Sequence, residues 1–522
     1  MNSLRRSGLF LPALFLIASC GSEPEPTPAQ RSADDPSTIP LDRPNVVWIV
    51  LDALRPDHLG TYGHERDTSP NIDALAANGV VFERNFAQGP NTLQSVQSYM
   101  TGRLAPVSYH YAGALGNWFL RKPPDDEKPI STILGENGYD TAMFSASPWY
   151  PRESRLGSSF DTFGPLAHGA DVTGDSYEER NPRLFRWLDS RAESPDEPFF
   201  LYLHSLDTHG PRYANNTDSR WLDYRFPEKR DKVLRGWGRS ALRSEEEFSE
   251  EDRKHLINLY DGGIAYADTT VGEILQFLEA EALSANTLVV LTSDHGELIA
   301  EDDRSLGHPA DNSSDTLLHV PLIMAGAGLP EGKRIDVMTQ SADIVPTIVD
   351  LLACETSVQF DGASLRPVLQ SDRAVQLHEY TYARTWSLIF SEEPNRVLIY
   401  EDIKLDFNPY TDEQWKELAR FGVRSRPSVL AYAMPDANGN RQFVEPTPEQ
   451  LDRARAALND RLIPLWNAKL DRPKETPPIF PVRLFELEHL DSISSESSPR
   501  DGLWSRRSIG TQNAFDGVGT LY

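Results

Sequence analysis

Asp52, Asp294 and His295 are two carboxylates and an imidazole, each standing just past a run of apolar residues. Hard and borderline donors of this kind suit a divalent ion such as Mn2+, Zn2+, Mg2+ or Ca2+. Singly, each has an ordinary explanation. An aspartate at a strand end often caps a helix, and Asp-His-Gly often makes a turn. The repetition is what carries weight. A third apolar run ends at His204 and leads into Asp207-Thr208-His209-Gly210-Pro211, so three such segments deliver ligand-type residues at their carboxyl ends.

These residues need strands to hold them. Residues 45–51, 199–203 and 287–292 read as continuous apolar strands buried on both faces of a parallel sheet, and the carboxyl edge of such a sheet is where ligands collect. Helical segments are expected at 70–79, 93–101, 130–138 and 249 to about 281. The alternation predicts an α/β fold with a large, mostly parallel central sheet between helices. Residues 211–248 lack periodicity and read as an irregular insertion near the site. Past residue 371 the alternation weakens, with strands expected around 386–390 and 396–400 and a helix over 448–462. The reading is therefore a catalytic domain over 44–370, then a smaller α+β subdomain and loop-rich tail over 371–522.

The amino terminus speaks of destination. Arg5 and Arg6 precede the apolar run Leu9 to Ala18, the pattern of a signal peptide; the run is far short of the roughly 20 residues a spanning helix needs. Ile17-Ala18-Ser19-Cys20 resembles the bacterial lipoprotein lipobox, which implies cleavage before Cys20 and acylation of its thiol. Residues 1–20 are thus expected to be removed, and 21–43, rich in Pro, Ser and acids, to be a disordered tether. The expectation is an exported bacterial lipoprotein of the cell envelope, periplasm-facing or in the outer membrane, held to the membrane through Cys20. Cys354, the other of the two cysteines, is expected as a buried core thiol, which leaves no disulfide framework. The net charge of −27 argues against a nucleic-acid partner and serves solubility.

The order of phrases resembles the sulfatase branch of the alkaline phosphatase superfamily. Arg43-Pro44-Asn45-Val46-Val47 through Leu51-Asp52-Ala53-Leu54-Arg55-Pro56-Asp57-His58-Leu59-Gly60 is similar to its first motif, and Thr68-Ser69-Pro70-Asn71-Ile72-Asp73-Ala74-Leu75 follows. Thr101-Gly102-Arg103 resembles the end of its nucleophile helix. Thr292-Ser293-Asp294-His295-Gly296-Glu297, Gly307-His308-Pro309 and Asp343-Ile344-Val345-Pro346-Thr347 extend the likeness to about residue 370. It implies an alkaline phosphatase-like fold and a hydrolase of sulfate or phosphate esters, on a small-molecule, glycan or lipid substrate, using one divalent ion held by Asp52, Thr92, Asp294 and His295.

Counting back from Gly102, the resemblance places the nucleophile at Thr92. Here the chain departs from its relatives: Thr92-Leu93-Gln94-Ser95-Val96 replaces Cys-x-Pro-Ser-Arg, so the formylglycine that sulfatases make from that Cys cannot form. Phosphodiesterases and phospho-group transferases of the superfamily use a metal-bound Thr, which keeps that alternative open. The second Asp of the family pair is Ala53, a later Asn is His295, and a Lys-x-His phrase is Ala146-Ser147-Pro148. The added imidazole favours Mn2+ or Zn2+ over Ca2+. By the same resemblance His209 contacts the anionic ester or protonates its leaving oxygen, His308 is a second, substrate-facing catalytic histidine, and Ser95, the retained serine of the motif, binds substrate. Arg55, Arg103 and His110 either bind an anion, Arg55 then being a substrate contact, or pair with carboxylates. A protein of another class, a surface lipoprotein that keeps the fold and only binds an anionic glycan or lipid, is the remaining alternative.

Overall fold

The segment Asn45–Leu51, buried along its whole length, forms strand β1 at the centre of the sheet. The other strands are, in chain order, β2 (Gly79–Phe82), β3 (Asp140–Ser145), β4 (Thr162–Pro165), β5 (Phe199–Ser205), β6 (Thr287–Thr292), β7 (Leu322–Gly326) and β8 (Lys333–Ile335). In space they run β8-β2-β7-β6-β1-β5-β3-β4. β1 pairs parallel with both neighbours, placing Val50 opposite His204 on one side and Thr292 on the other. Only β7 is reversed, pairing antiparallel with β2 and β6. The computed structural model describes residues 43–104, 120–121, 127–152, 154–166, 181–210, 241–243, 247–301, 305–371, 375–385, 395–408, 429–433, 442–465 and 474–475.

Because side chains alternate along a strand, β1 feeds two cores. Val47, Ile49 and Leu51 face a layer built by helices α1 (Pro70–Ala77), α4 (Pro182–Ala192) and α5 (Glu250–Ala280). Val46, Trp48 and Val50 face the layer of α2 (Thr92–Thr101), α3 (Ile130–Glu136) and α6 (Ile344–Leu351). Helices therefore cover both faces of the sheet, which is the α/β architecture expected. The strand over 199–203 runs two residues further than expected, so that His204 lies inside it. Cys354 packs against the second layer but keeps partial exposure, and burial pushes its thiol up to about 11.

A four-stranded antiparallel sheet follows, made of β9 (Thr381–Thr385), β10 (Asn395–Ile399), β11 (Ile403–Phe407) and β12 (Val429–Ala433), with α7 (Pro448–Ala457) packed beside it. The expected strand at 396–400 is β10; the one at 386–390 lies outside the described residues. This subdomain reaches the main body through charge. From β9 the buried Arg384 donates to the main-chain oxygens of Gln94 and Leu104, at 2.9 and 3.4 Å. From β11 Lys404 bonds Ser313 O and Asp315, and Asp406 accepts from Ser313 Oγ at 2.8 Å. The signal segment and most of the tether also lie outside the described residues, as does nearly all of 211–248. Among the described residues no helix is long and apolar enough to cross a membrane.

A buried carboxylate on α5, Asp261, ties the loop after β1 to this helix. It accepts from His58 at 2.6 Å and Arg66 at 2.7 Å, with His64 at 3.4 Å. Burial alone would push the Asp261 carboxyl up, yet the hydrogen bonds from His58 and His64 hold it well below the usual carboxylate range. A depressed folded pKa contributes stability that is present above the unfolded value near 4 and is lost as pH falls through the folded value. Asp261→Asn should therefore lower the neutral-pH melting temperature by several degrees, on the order of 2–4 kcal/mol. In melts taken down to pH 3 the gap between variant and wild type should shrink below about pH 4; a gap independent of pH would contradict the clamp.

Candidate active site

The carboxyl ends of β1, β5 and β6 converge on one buried centre. β1 hands the chain to Asp52, whose N–H bonds Ser205 O at 2.9 Å. Ala53 then turns left-handed at φ 64°, a conformation unfavourable for a residue with a Cβ. That turn aims the Ala53 and Leu54 amides at Asp294 Oδ1 (3.2 Å) and Ser293 Oγ (2.9 Å), locking the end of β1 to the end of β6. Thr208 donates to Asp52 O at 2.5 Å and closes the side toward β5.

Asp52, Thr92, Asp294 and His295 meet there as expected. Thr92 Oγ1 lies 3.3 Å from both Asp52 Oδ2 and His295 Nε2. His295 Nε2 is 3.4 Å from Asp52 Oδ1 and 3.5 Å from Asp294 Oδ2. Those two carboxylate oxygens are buried and have no hydrogen-bond partner among the described residues. Buried anionic oxygens without donors are costly, and a cation is what would satisfy them. His295 fits the same purpose: Nδ1–H donates to Gly296 O at 2.7 Å, which leaves the Nε2 lone pair facing the carboxylates. Burial lowers the affinity of His295 for a proton, but Asp294 and Asp52 more than reverse this, a field that attracts any cation. The residues present therefore fit a divalent ion.

Thr92 is not the cap of its helix. Asn91 takes that role, its side chain accepting from Gln94 N at 3.1 Å, so Thr92 is the first helical residue and its hydroxyl is free to face the centre. Gly296 is required for a different reason. A Cβ there would meet Thr316 O at 1.9 Å, and its N–H bonds Leu317 O at 2.9 Å. Gly296→Ala should push the backbone between His295 and Glu297 outward, lowering the melting temperature by several degrees and weakening metal binding at least about tenfold. Thermal melts and a metal titration would show both; unchanged metal affinity would mean that the loop can move without disturbing the centre.

His209 and His308 line the next layer. The His308 ring lies 4.3 Å from that of His295 and 4.8 Å from that of His209, centroid to centroid. Burial drives His308 down to about 3 and also depresses His209, so both rings are neutral at neutral pH. Glu297, not singled out from sequence, holds this layer together: Oε1 lies 3.1 Å from His308 Nδ1 and Oε2 accepts from Gly210 N at 3.3 Å. Burial pushes its carboxyl up to about 7 against the opposing effect of His209 and His295. His204 was also missed; its Nε2 is 3.0 Å from Asp52 Oδ2, and with Asp52 and Asp294 it forms a buried trio able to bring ligand atoms within 4.8 Å of one another.

Arg55 takes the carboxylate pairing of its two expected alternatives, and Ser95, expected to bind substrate, is engaged with the backbone. The guanidinium of Arg55 is taken up by Asp57, Glu301 and Glu297 O, so it serves as a brace rather than an anion site. Ser95 Oγ is buried and donates to Gly89 O at 2.7 Å. Arg103 lies 3.7 Å from Asp361, the carboxylate pairing weighed for it from sequence, and His110 lies outside the described residues.

Known proteins place this geometry in context. A family model described as Sulfatase matches residues 44–353. A sulfatase from Formosa agariphila is 24% identical over 452 residues, covering 76% of this chain and 87% of its own. Among solved structures, a 2-O GAG sulfatase superposes with a TM-score of 0.61 at 18% identity, covering 83% of this chain and 95% of that one. A phosphonate monoester hydrolase of Agrobacterium radiobacter gives a TM-score of 0.54 at 20% identity, covering 83% and 97%.

Proposed function

From the premise that the chain belongs to the sulfatase family of the alkaline phosphatase superfamily, we propose that it hydrolyses sulfate esters at one divalent ion, with Thr92 as nucleophile. The observation that supports this most is the position of Thr92 Oγ1, 3.3 Å from both Asp52 and His295, beside the two unpartnered carboxylate oxygens. Asp52, Asp294 and His295 would hold the ion, with Thr92 beside it. When bound, such an ion acidifies a hydroxyl and stabilises charge developing on the ester oxygens. Thr92 Oγ1 passes its proton toward Asp52 Oδ2, to which it already donates at 3.3 Å, and attacks the sulfur in line, so that a Thr92 O–S bond forms as the S–O bond to the alcohol breaks. His209, neutral at rest, takes a proton from solvent and hands it to the leaving oxygen, returning to the neutral ring, and water then cleaves the Thr92 ester. His308, neutral and held by Glu297, orients the same region.

A second reading follows from Thr92 itself. A formylglycine diol expels its sulfate by itself, whereas a threonine ester waits for water to attack sulfur or phosphorus. That requirement favours a phosphate ester or a phospho-group transfer. The phosphonate monoester hydrolase likeness shows only that the fold serves such chemistry elsewhere. The deciding experiment assays metal-loaded protein on an aryl sulfate, a phosphate monoester, a phosphodiester and a phosphonate ester. Highest kcat/KM on the sulfate supports the first reading and on a phosphorus ester the second. Stoichiometric metal without turnover on any of them supports a binding protein.

Export and acylation at Cys20 complete the proposal; the Ile17-Ala18-Ser19-Cys20 phrase supports them. Radiolabelled fatty acid incorporation, lost in Cys20→Ser, would test the anchor. The substrate would then be an ester met outside the cytoplasm.

A further inference from the structure

We propose that Tyr99, Tyr202 and His204 form a buried hydrogen-bonded wire that orients Asp52 and registers the Thr92 helix against it, with His204 a donor to Asp52 rather than a metal ligand. This rests on the metal centre proposed above.

The two oxygens of Asp52 have different occupants. Oδ1 has no hydrogen-bond partner and lies 3.4 Å from His295 Nε2, on the side of the equally unpartnered Asp294 Oδ2. Oδ2 receives His204 Nε2 at 3.0 Å and Thr92 Oγ1 at 3.3 Å. The cation position is marked by the free oxygens, and His204 sits on the oxygen already engaged.

The direction of every bond follows from the acceptor at the end. A carboxylate only accepts, and His204 Nε2 lies 3.0 Å from Asp52 Oδ2. So Nε2 of His204 carries the proton, and in a neutral ring Nδ1 then accepts. Its partner is Tyr202 Oη at 3.0 Å, which must donate; Tyr202 Oη in turn accepts from Tyr99 Oη at 2.8 Å. Both phenols are fully buried, and burial raises them well above their ordinary pKa, so each keeps the proton it donates. Trp48 packs on both rings, at 5.3 and 5.8 Å between centroids, which removes slack from the wire.

The far end of the wire gives it a purpose. Tyr99 lies on α2 seven residues after Thr92, two turns along the same helix face at 3.6 residues per turn. The helix thus touches Asp52 twice, directly through Thr92 and through Tyr99, Tyr202 and His204. A slide or rotation of α2 would break both contacts, so the wire sets the nucleophile hydroxyl and the ligand carboxylate in one register. Supporting shells of this kind change metal affinity or activity about 10–100-fold.

The test uses the full chain as wild type, Tyr202→Phe, His204→Gln, His204→Ala and Asp294→Ala. Metal stoichiometry and Kd are read by chelator competition, kcat and KM separately, and the tautomer by nitrogen-15 NMR of histidine-labelled, zinc-loaded protein, with His204 assigned by its loss in His204→Gln. Tyr202→Phe is expected to bind one equivalent about 10–100-fold more weakly and to lower kcat more than KM. His204→Gln, which keeps a donor, should outperform His204→Ala with stoichiometry intact, and the His204 signals should show protonated Nε2 and bare Nδ1. Bare Nε2 with protonated Nδ1, a doubly protonated ring, or loss of stoichiometric metal in His204→Gln would overturn the proposal. So would Tyr202→Phe indistinguishable from wild type. A wild type that binds no metal, or an Asp294→Ala that binds it normally, would instead bring down the metal centre on which the wire depends.

Discussion

Thr92→Ala should bind one equivalent of divalent metal and lose at least about 10^3-fold in kcat/KM on the best ester, roughly 4 kcal/mol of transition-state stabilisation. The variant is clean because the hydroxyl does not build the helix. Asn91 caps α2, and alanine is the best helix former at the position that follows. Tyr150 bonds the Thr92 carbonyl at 3.2 Å, a contact that alanine keeps. The melting temperature should therefore stay close to wild type. Thr92→Ser, with a hydroxyl on a freer side chain, should retain measurable turnover. A quench of wild type during turnover should trap label on Thr92, located by peptide mass analysis. Turnover surviving Thr92→Ala would remove the covalent step and leave water as the nucleophile.

Removal of the metal should have the larger combined effect, on activity and on stability together. A chelator should abolish turnover, and Mn2+ or Zn2+ should restore it. An ion that binds only the folded chain stabilises it by about 4 kcal/mol at a free concentration 1,000 times its Kd, so chelation should lower the melting temperature by several degrees. The physical reason is specific to this centre: Asp52 Oδ1 and Asp294 Oδ2 are buried and lack donors, so the apo protein keeps two uncompensated oxygens. Asp294→Ala should bind no metal and show no chelator-sensitive shift. If the wild type melts and turns over identically with and without chelator, these oxygens are not ligands.

Much of the centre was legible because apolar runs end where chemistry begins. The segments 45–51 and 287–292 are strands over the residues expected, and Asp52, Asp294 and His295 stand together just past them. His204 was passed over because a continuous apolar run has no period to say which way its last residue points. That direction is decided by the register with β1, where His204 lies opposite Val50. Glu297 was hidden similarly. Its partner His308 is eleven residues away, and a hairpin in which Leu298 pairs with Gly307 brings them together. Arg55 could not be settled from sequence: a cation near an anion site either binds the anion or pairs with carboxylates, and the choice waits on Asp57 and Glu301, which claim it in the fold.

Arg384 carries a consequence for how the chain folds. A guanidinium sealed from water whose hydrogen bonds among the described residues go to carbonyls is tolerated when both its surroundings are in place, since either half alone would strand a bare charge or bare acceptors. Burial already weakens its hold on its proton. The change of pattern near residue 370 is therefore crossed by a buried polar contact. The carboxyl-terminal sheet and the helix that presents Thr92 are accordingly expected to melt in a single transition, and a chain stopped before Arg384 would lack part of the wall against which that helix is built.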